Sequence, residues 1–181
     1  MVATESRGKW QRAHAIQLPA VARTLPSPPD LSSVSCTGLG SCTAVGTYGK
    51  AGGRAAPMVA VESHGRWGRA QAVSALPSNA SRRRGATFGA VSCTTAGSCV
   101  VVGSYHTRSN RSQTMLVTLA PGRRPTAAEL RPPPNGVAGG EFNSRLFFDD
   151  AVDCTSTSRC AAVGAYKPKT GPFQAWTATT P

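Results

Sequence analysis

Apolar residues along this chain fall in short runs of four to six, rich in Val, Thr and aromatics. Each run is closed by Gly, Ser, Pro or Asn, as strands and their turns are. No window carries apolar positions at helical spacing, so the pattern predicts an all-β fold.

The runs repeat. VSCTGLGSCTAVGTY (34–48), VSCTTAGSCVVVGSY (91–105) and VDCTSTSRCAAVGAY (152–166) share the pattern V-[SD]-C-T-x-x-x-[SR]-C-x-x-V-G-x-Y. The first two lie 57 residues apart and the second and third 61 apart. A second element repeats at the same offset of 57, MVATESRGKW (1–10) against MVAVESHGRW (58–67). Fainter copies stand at 115–119 and 173–178, and Arg124 occupies the place of the tryptophan in the second unit. Periods of this size belong to propellers or similar arrays.

Each unit reads as four strands. The first ends at Val-Ser-Cys or Val-Asp-Cys and the second runs over Thr43–Tyr48 and its equivalents. The third covers Met58–Glu62, and a glycine turn leads to a fourth that starts at Trp67. The predicted architecture is a β-propeller-like array of about three four-stranded blades, each with one disulfide inside a hairpin. Residues 1–30 form the third and fourth strands of a preceding blade, 31–85 a blade, 86–148 a blade with a Pro/Gly-rich insertion, and 149–181 a partial blade. The glycines after the repeated valines (Gly46, Gly103, Gly164) mark either a close backbone approach or a bulge.

The six cysteines fall as Cys36/Cys42, Cys93/Cys99 and Cys154/Cys160, each pair six apart. Even, regular pairing predicts disulfides and an oxidising compartment. The spacing does not suit a metal site, and none of the three histidines stands beside a pair at matching positions, so no metal or cofactor is expected. The first ten residues have no apolar core of an export signal. The expectation is an extracellular or cell-surface protein with a signal and further blades upstream of Met1, or two chains that complete one ring, each lending its Trp10 strand to the other.

These units resemble the cysteine-containing β-propeller repeats of secreted or surface-exposed bacterial proteins, common in actinobacteria. Those carry S-C-x5-C-x-A-V-G-x-Y followed by a strand ending in G-x-W. The resemblance spans Leu31 to Pro77, Ala86 to Leu119, Asp149 to Ala178 and the N-terminal stub. It implies four-stranded blades around an axis and no particular reaction. The turn before Trp67 is also similar to the Asp-box of sialidase-like propellers, with the aspartate missing from Glu62–Trp67; those boxes are structural, so the resemblance implies no catalytic residue.

Charged residues make up only 15% of the 181-residue chain, against 40% hydrophobic, which excludes a disordered polyelectrolyte. No apolar stretch is long enough for a transmembrane helix. The formal charge of +12 comes mostly from arginine. Its densest runs, Arg82, Arg83, Arg84 and Arg123, Arg124, sit among Ser, Gly and Pro and read as loops. They are the candidate contacts to an anionic partner.

Catalytic groups are sparse. Asp149 and Asp150 are adjacent and would point to opposite sides of a strand. Glu5 and Glu62 share one repeat position, which favours a structural or solvent-facing role. His14 and His64 have no evident partner, and Trp10, Trp67 and Trp176 are expected to pack the blades. The expected function is a non-enzymatic module that binds a protein or an anionic glycan. A piece of a larger exported glycan hydrolase or lyase is the alternative. Nucleic-acid binding rests on charge alone. The segment 122–145, read as a long irregular loop, is the region expected to recognise a ligand.

Overall fold

The computed structural model describes residues 1–22, 28–131, 133–136, 151–156, 158–166, 168–172 and 174–179. Among them the chain forms fourteen strands and no helix. A short hairpin joins β1 (Glu5–Ser6) to β2 (Lys9–Trp10). The first large sheet runs β3 (Asp30–Gly38), β4 (Ser41–Lys50), β5 (Arg54–Ser63) and β6 (Arg66–Trp67), with β7 (Gln71–Ala72) also paired to β5. The second runs β8 (Ala86–Thr95), β9 (Ser98–His106), β10 (Ser112–Leu119) and β11 (Thr126–Leu130). The third holds β12 (Ala151–Ser156), β13 (Arg159–Tyr166) and β14 (Gln174–Thr179). All pairings are antiparallel, so each sheet is a simple meander.

Several strands exceed the expected four to six residues, β4 and β5 reaching ten each. The ladder extends to Lys50 opposite Arg54, which leaves only a three-residue turn over Ala51–Gly53. Pairing satisfies backbone groups that a loop would expose. Gly52 and Gly53 make the turn with φ of 82° and 73°, a region costly for other residues.

All three disulfides form as the spacing predicts, Cys36–Cys42, Cys93–Cys99 and Cys154–Cys160. Each joins directly opposed residues of a hairpin, with Cα atoms 4.0 Å apart. Such close opposition is that of a pair without mutual backbone hydrogen bonds. The first cysteine of each pair therefore turns its amide away from its own hairpin.

The repeated glycines have a definite task. A bulge between Leu31 and Ser33 pushes β3 toward Gly46, where a Cβ would collide with the Asp30 carbonyl. A matching bulge between Phe88 and Ala90 does the same at Gly103, against the Thr87 carbonyl. Bulge and close approach are one feature here.

The middle sheet is covered on both faces. Val101, Met115 and Val117 pack with Phe88 and Val91 against Val45 and Val59 of the first sheet. Val102, Leu116 and Leu130 pack against Val152, Ala162, Tyr166 and Trp176 of the third. Adjacent strand residues face opposite sides, so a strand buried on both sides reads as the unbroken Val100-Val101-Val102 run. The far face of the first sheet, with Tyr48, Met58 and Ala60, is covered by Ile16, Leu18 and Ala22.

Two expectations need correction. Part of the supposed insertion, Thr126–Leu130, is β11, the fourth strand of the second sheet, paired with β10 over five residues. In the first sheet the outer edge is instead split into β6 and β7, where Trp67 turns toward Thr4. With Arg124 in place of the tryptophan, the edge strand of the second sheet runs unbroken. Residues 132 and 137–145 of that segment lie outside the described residues. Trp10, expected to pack, is 75% exposed, whereas Trp176 is buried.

Candidate functional site

Register divides the sheets into two ends. The disulfide loops occupy one end, where Leu119 faces Cys99. At the other end Lys50 faces Arg54, Ser112 faces His106 and Gln174 faces Tyr166. The connector from the first to the second sheet enters at this second end, since Ala86 faces Tyr105. Arg82, Arg83 and Arg84 therefore lie at the connector end. Arg123 and Arg124 follow Leu119 and lie at the disulfide end. The two arginine runs do not form one patch.

The three bridges are alike in geometry but not in surroundings. Cys36 is exposed and Cys42 half-buried, Cys93 is half-buried and Cys99 fully buried, and Cys154 is half-buried with Cys160 buried. The second cysteine of each pair is thus the more enclosed, since it stands on the inner strand of its meander. Cys160 departs from its counterpart Cys99 in lying outside the apolar clusters. It instead lines a shallow surface depression, and its Sγ lies 3.5 Å from the Ser156 carbonyl within its own hairpin loop. All six cysteines are bonded to each other, so they are structural pins and not ligands or nucleophiles.

The connector end gathers other cations that are distant in sequence. Three loops meet there, 51–54, 78–85 and 106–111, and hydrogen bonds fix them together. Arg54 Nη1 donates to the Arg82 carbonyl at 2.9 Å, while its Nε and Nη2 donate to the Ala51 carbonyl at 3.2 and 3.0 Å. Arg108 Nη1 donates to the Ser78 carbonyl at 2.8 Å. The Ser81 amide donates to the His106 carbonyl at 2.8 Å, and the Arg108 amide to the Asn79 carbonyl at 3.0 Å. Gly85 presses the connector onto β5, since a Cβ there would come within 2.9 Å of the Ala55 carbonyl.

Arg82, Arg83, Arg84 and Arg108 are exposed and Arg54 is half-buried. The guanidinium partners of Arg54 and Arg108 are carbonyl oxygens, not carboxylates. These bonds hold the side chains in place without cancelling their charge. Guanidinium forks arranged this way suit carboxylate, sulfate or phosphate oxygens.

His106 lies at this rim, half-buried, and its Nδ1 has no hydrogen-bond partner. Burial and then the positive charge of Arg84 hold its pKa below the usual histidine value. Both causes oppose the cationic form.

Beneath the rim, buried tyrosines latch neighbouring units. Tyr105 donates to Asn79 Oδ1 at 2.8 Å and lies 3.0 Å from Gln113 Oε1. Tyr166 repeats the arrangement with Asn135 Oδ1 at 2.9 Å and Gln174 Oε1 at 2.7 Å. Each asparagine comes from the connector that precedes the tyrosine's sheet. The sequence carries a trace of this latch, since both glutamines follow their tyrosines by eight residues. In the first unit Ala56 takes that place, and the trace passes unnoticed without the structure. Beside the second latch is a cleft of about 310 Å³ between the second and third sheets, lined by Gln113, Leu130, Arg131, Tyr166 and Trp176.

The carboxylates are dispersed. Asp149, Asp150 and Glu141 lie outside the described residues. Glu5 is exposed, but Glu62 at the same repeat position is only 1% exposed. Its Oε1 accepts from Thr4 Oγ1 at 2.9 Å, and its Oε2 has no hydrogen-bond partner. His14 and His64 are exposed, the latter in a turn with φ of 53°. Among the described residues no group of three or more His, Cys, Asp or Glu is placed to hold a metal ion. No helix among them is long and apolar enough to cross a membrane.

No protein-family model, curated protein or solved structure matches the chain.

Proposed function

We propose that this protein is a non-enzymatic binding module of the β-propeller type, working outside the cell or at its surface, and that its connector end binds an anionic glycan. The observation that carries the reading is the convergence of Arg54, Arg82, Arg83, Arg84 and Arg108 from three loops onto one rim. Loops held on a rigid β scaffold are the usual seat of recognition. Three disulfides favour an oxidising compartment, where acidic polysaccharides are met and nucleic acid seldom is. The side-by-side meanders, each starting with a disulfide-pinned hairpin, support the propeller-type arrangement.

The test compares dextran sulfate, neutral dextran and duplex DNA as ligands at matched ionic strength. The reading expects binding to dextran sulfate that weakens as salt rises and no binding to neutral dextran. Equal affinity for dextran sulfate and neutral dextran contradicts the role of charge. Clear preference for DNA replaces the glycan with nucleic acid.

A further inference from the structure

Equivalent repeat positions differ in exposure according to whether a neighbouring sheet covers them. Val45 and Val102 each face the next sheet and are fully buried, whereas Val163, the third copy, is 43% exposed. The trend reverses at the other end. Val91 is 6% exposed and Val152 is half-buried against the preceding sheet, whereas Val34 is 57% exposed.

Hydrogen bonds follow the same scheme. The Val91 and Cys93 amides donate to the hydroxyls of Ser33 and Ser35 at 3.2 and 3.0 Å. The Cys154 amide donates to the Ser92 hydroxyl at 3.0 Å. Each junction thus joins acceptors on the first strand of one sheet to outward amides on the first strand of the next. Asp153 occupies the Ser35 and Ser92 position in the last sheet. It is exposed, and its Oδ1 lies 3.4 Å from Ser92 Oγ, which leaves Oδ2 as the acceptor for one more junction. Next to it is the shallow depression, about 330 Å³, lined by Asp153, Thr155, Arg159, Cys160, Ala161 and Thr179. At the opposite end β3 presents the matching half, the Val34 side chain and the outward amide of Cys36.

We propose that these two faces are complementary halves of one interface, and that a second copy of this chain docks head to tail, its β3 against β12 and β13 of the first. The bond from a serine hydroxyl to the next first-cysteine amide is made twice inside the chain. At the two ends Val34 and Cys36, and Asp153 and Val163, are exposed, beside the part of the first sheet's outer face that Ile16, Leu18 and Ala22 cover. A carboxylate is also the stronger acceptor for a backbone amide, which suits a junction formed between separate chains. A head-to-tail contact of this kind closes into a ring or grows into a chain, according to its rotation. The proposal does not depend on the glycan reading.

Sedimentation velocity on the oxidised full chain, over a concentration series, tests it. The wild type is expected to associate as concentration rises. Val34→Arg and Val163→Arg, both at exposed positions, are each expected to abolish association. An equimolar mixture of the two is expected to recover a two-chain species, because one intact face of each kind remains. Asp153→Lys probes the same face as Val163→Arg through an exposed polar position. A wild type that stays monomeric throughout overturns the proposal. So does association that none of the substitutions weakens, or a mixture that fails to recover, which indicates a self-complementary contact.

Discussion

The Cys93 amide donates a 3.0 Å hydrogen bond to the Ser35 hydroxyl, across the junction between the first two sheets. The Cys154 amide does the same to Ser92 across the next. The serines before Cys36 and Cys93 thus each join one repeat to the following one.

Removing a seam hydroxyl leaves a half-buried amide without its partner. Ser35→Ala and Ser92→Ala are each expected to lower stability by about 1–3 kcal/mol. The two sites serve separate junctions, so their effects should add. Urea unfolding of both single variants and the double variant checks this. Two neutral substitutions would mean that these bonds do not hold neighbouring sheets together.

The glycines opposite the bulges predict a contrast among Gly→Ala changes. A Cβ at Gly46 or Gly103 meets the backbone of the adjacent strand, whereas at Gly89 its nearest neighbour is the Val102 carbonyl at 3.7 Å, an ordinary contact. Gly46→Ala and Gly103→Ala should cost about 1–3 kcal/mol by overpacking. Gly89→Ala should lie close to wild type. Thermal denaturation of the three variants decides, and equal effects contradict the proposed role of the bulges.

The middle disulfide should matter most. Closing a loop this short contributes about 2 kcal/mol in the chain-entropy model. Cys99 is in addition fully buried in the core between the first two sheets, whereas Cys36 is exposed and Cys160 borders a surface depression. Replacing Cys93 and Cys99 together by serine is expected to destabilise more than the same change at Cys36 and Cys42 or at Cys154 and Cys160. Chemical unfolding under non-reducing conditions measures all three.

His106 gives the fold a pH dependence of known sign. Its folded pKa is lowered by burial and by Arg84. Below the ordinary histidine value of about 6.5, the unfolded chain binds the proton more readily than the folded one. Stability should therefore fall as pH drops through that value toward the folded pKa, and level off below it. His106→Gln should remove this component of the melting profile. A bound polyanion should neutralise Arg84 and raise the His106 pKa, visible as a shift in its NMR titration. A titration unchanged by saturating dextran sulfate would place the ligand away from this rim.

The parts of the fold that were legible in the sequence are those fixed within a hairpin. Cys36 and Cys42 are close in sequence, and a recurring spacing reveals their bridge wherever it occurs, Cys154–Cys160 included. Short runs rich in Val, Thr and aromatics, bounded by turn residues, likewise disclose the strands. Environment set by neighbours was not legible. Glu5 and Glu62 stand in nearly identical segments, yet one is exposed and the other is enclosed with Thr4. Val34 and Val91 differ for the same reason, and so do Cys99 and Cys160. The arginine rim was half legible, since the run 82–84 is conspicuous while Arg54 and Arg108 join it only through sheet register. β11 was hidden because the tryptophan that marks the outer strand is replaced by Arg124.

Affinity for dextran sulfate, compared between two arginine variants, separates a built rim from attraction by net charge. Changing Arg82, Arg83 and Arg84 together to serine removes charge from the connector end. Changing Arg123 and Arg124 removes it from the disulfide end. The first is expected to lose much of its affinity and to show a shallower salt dependence, and the second to bind nearly as the wild type does. Equal losses in both would mean that net charge, not a built rim, attracts the ligand.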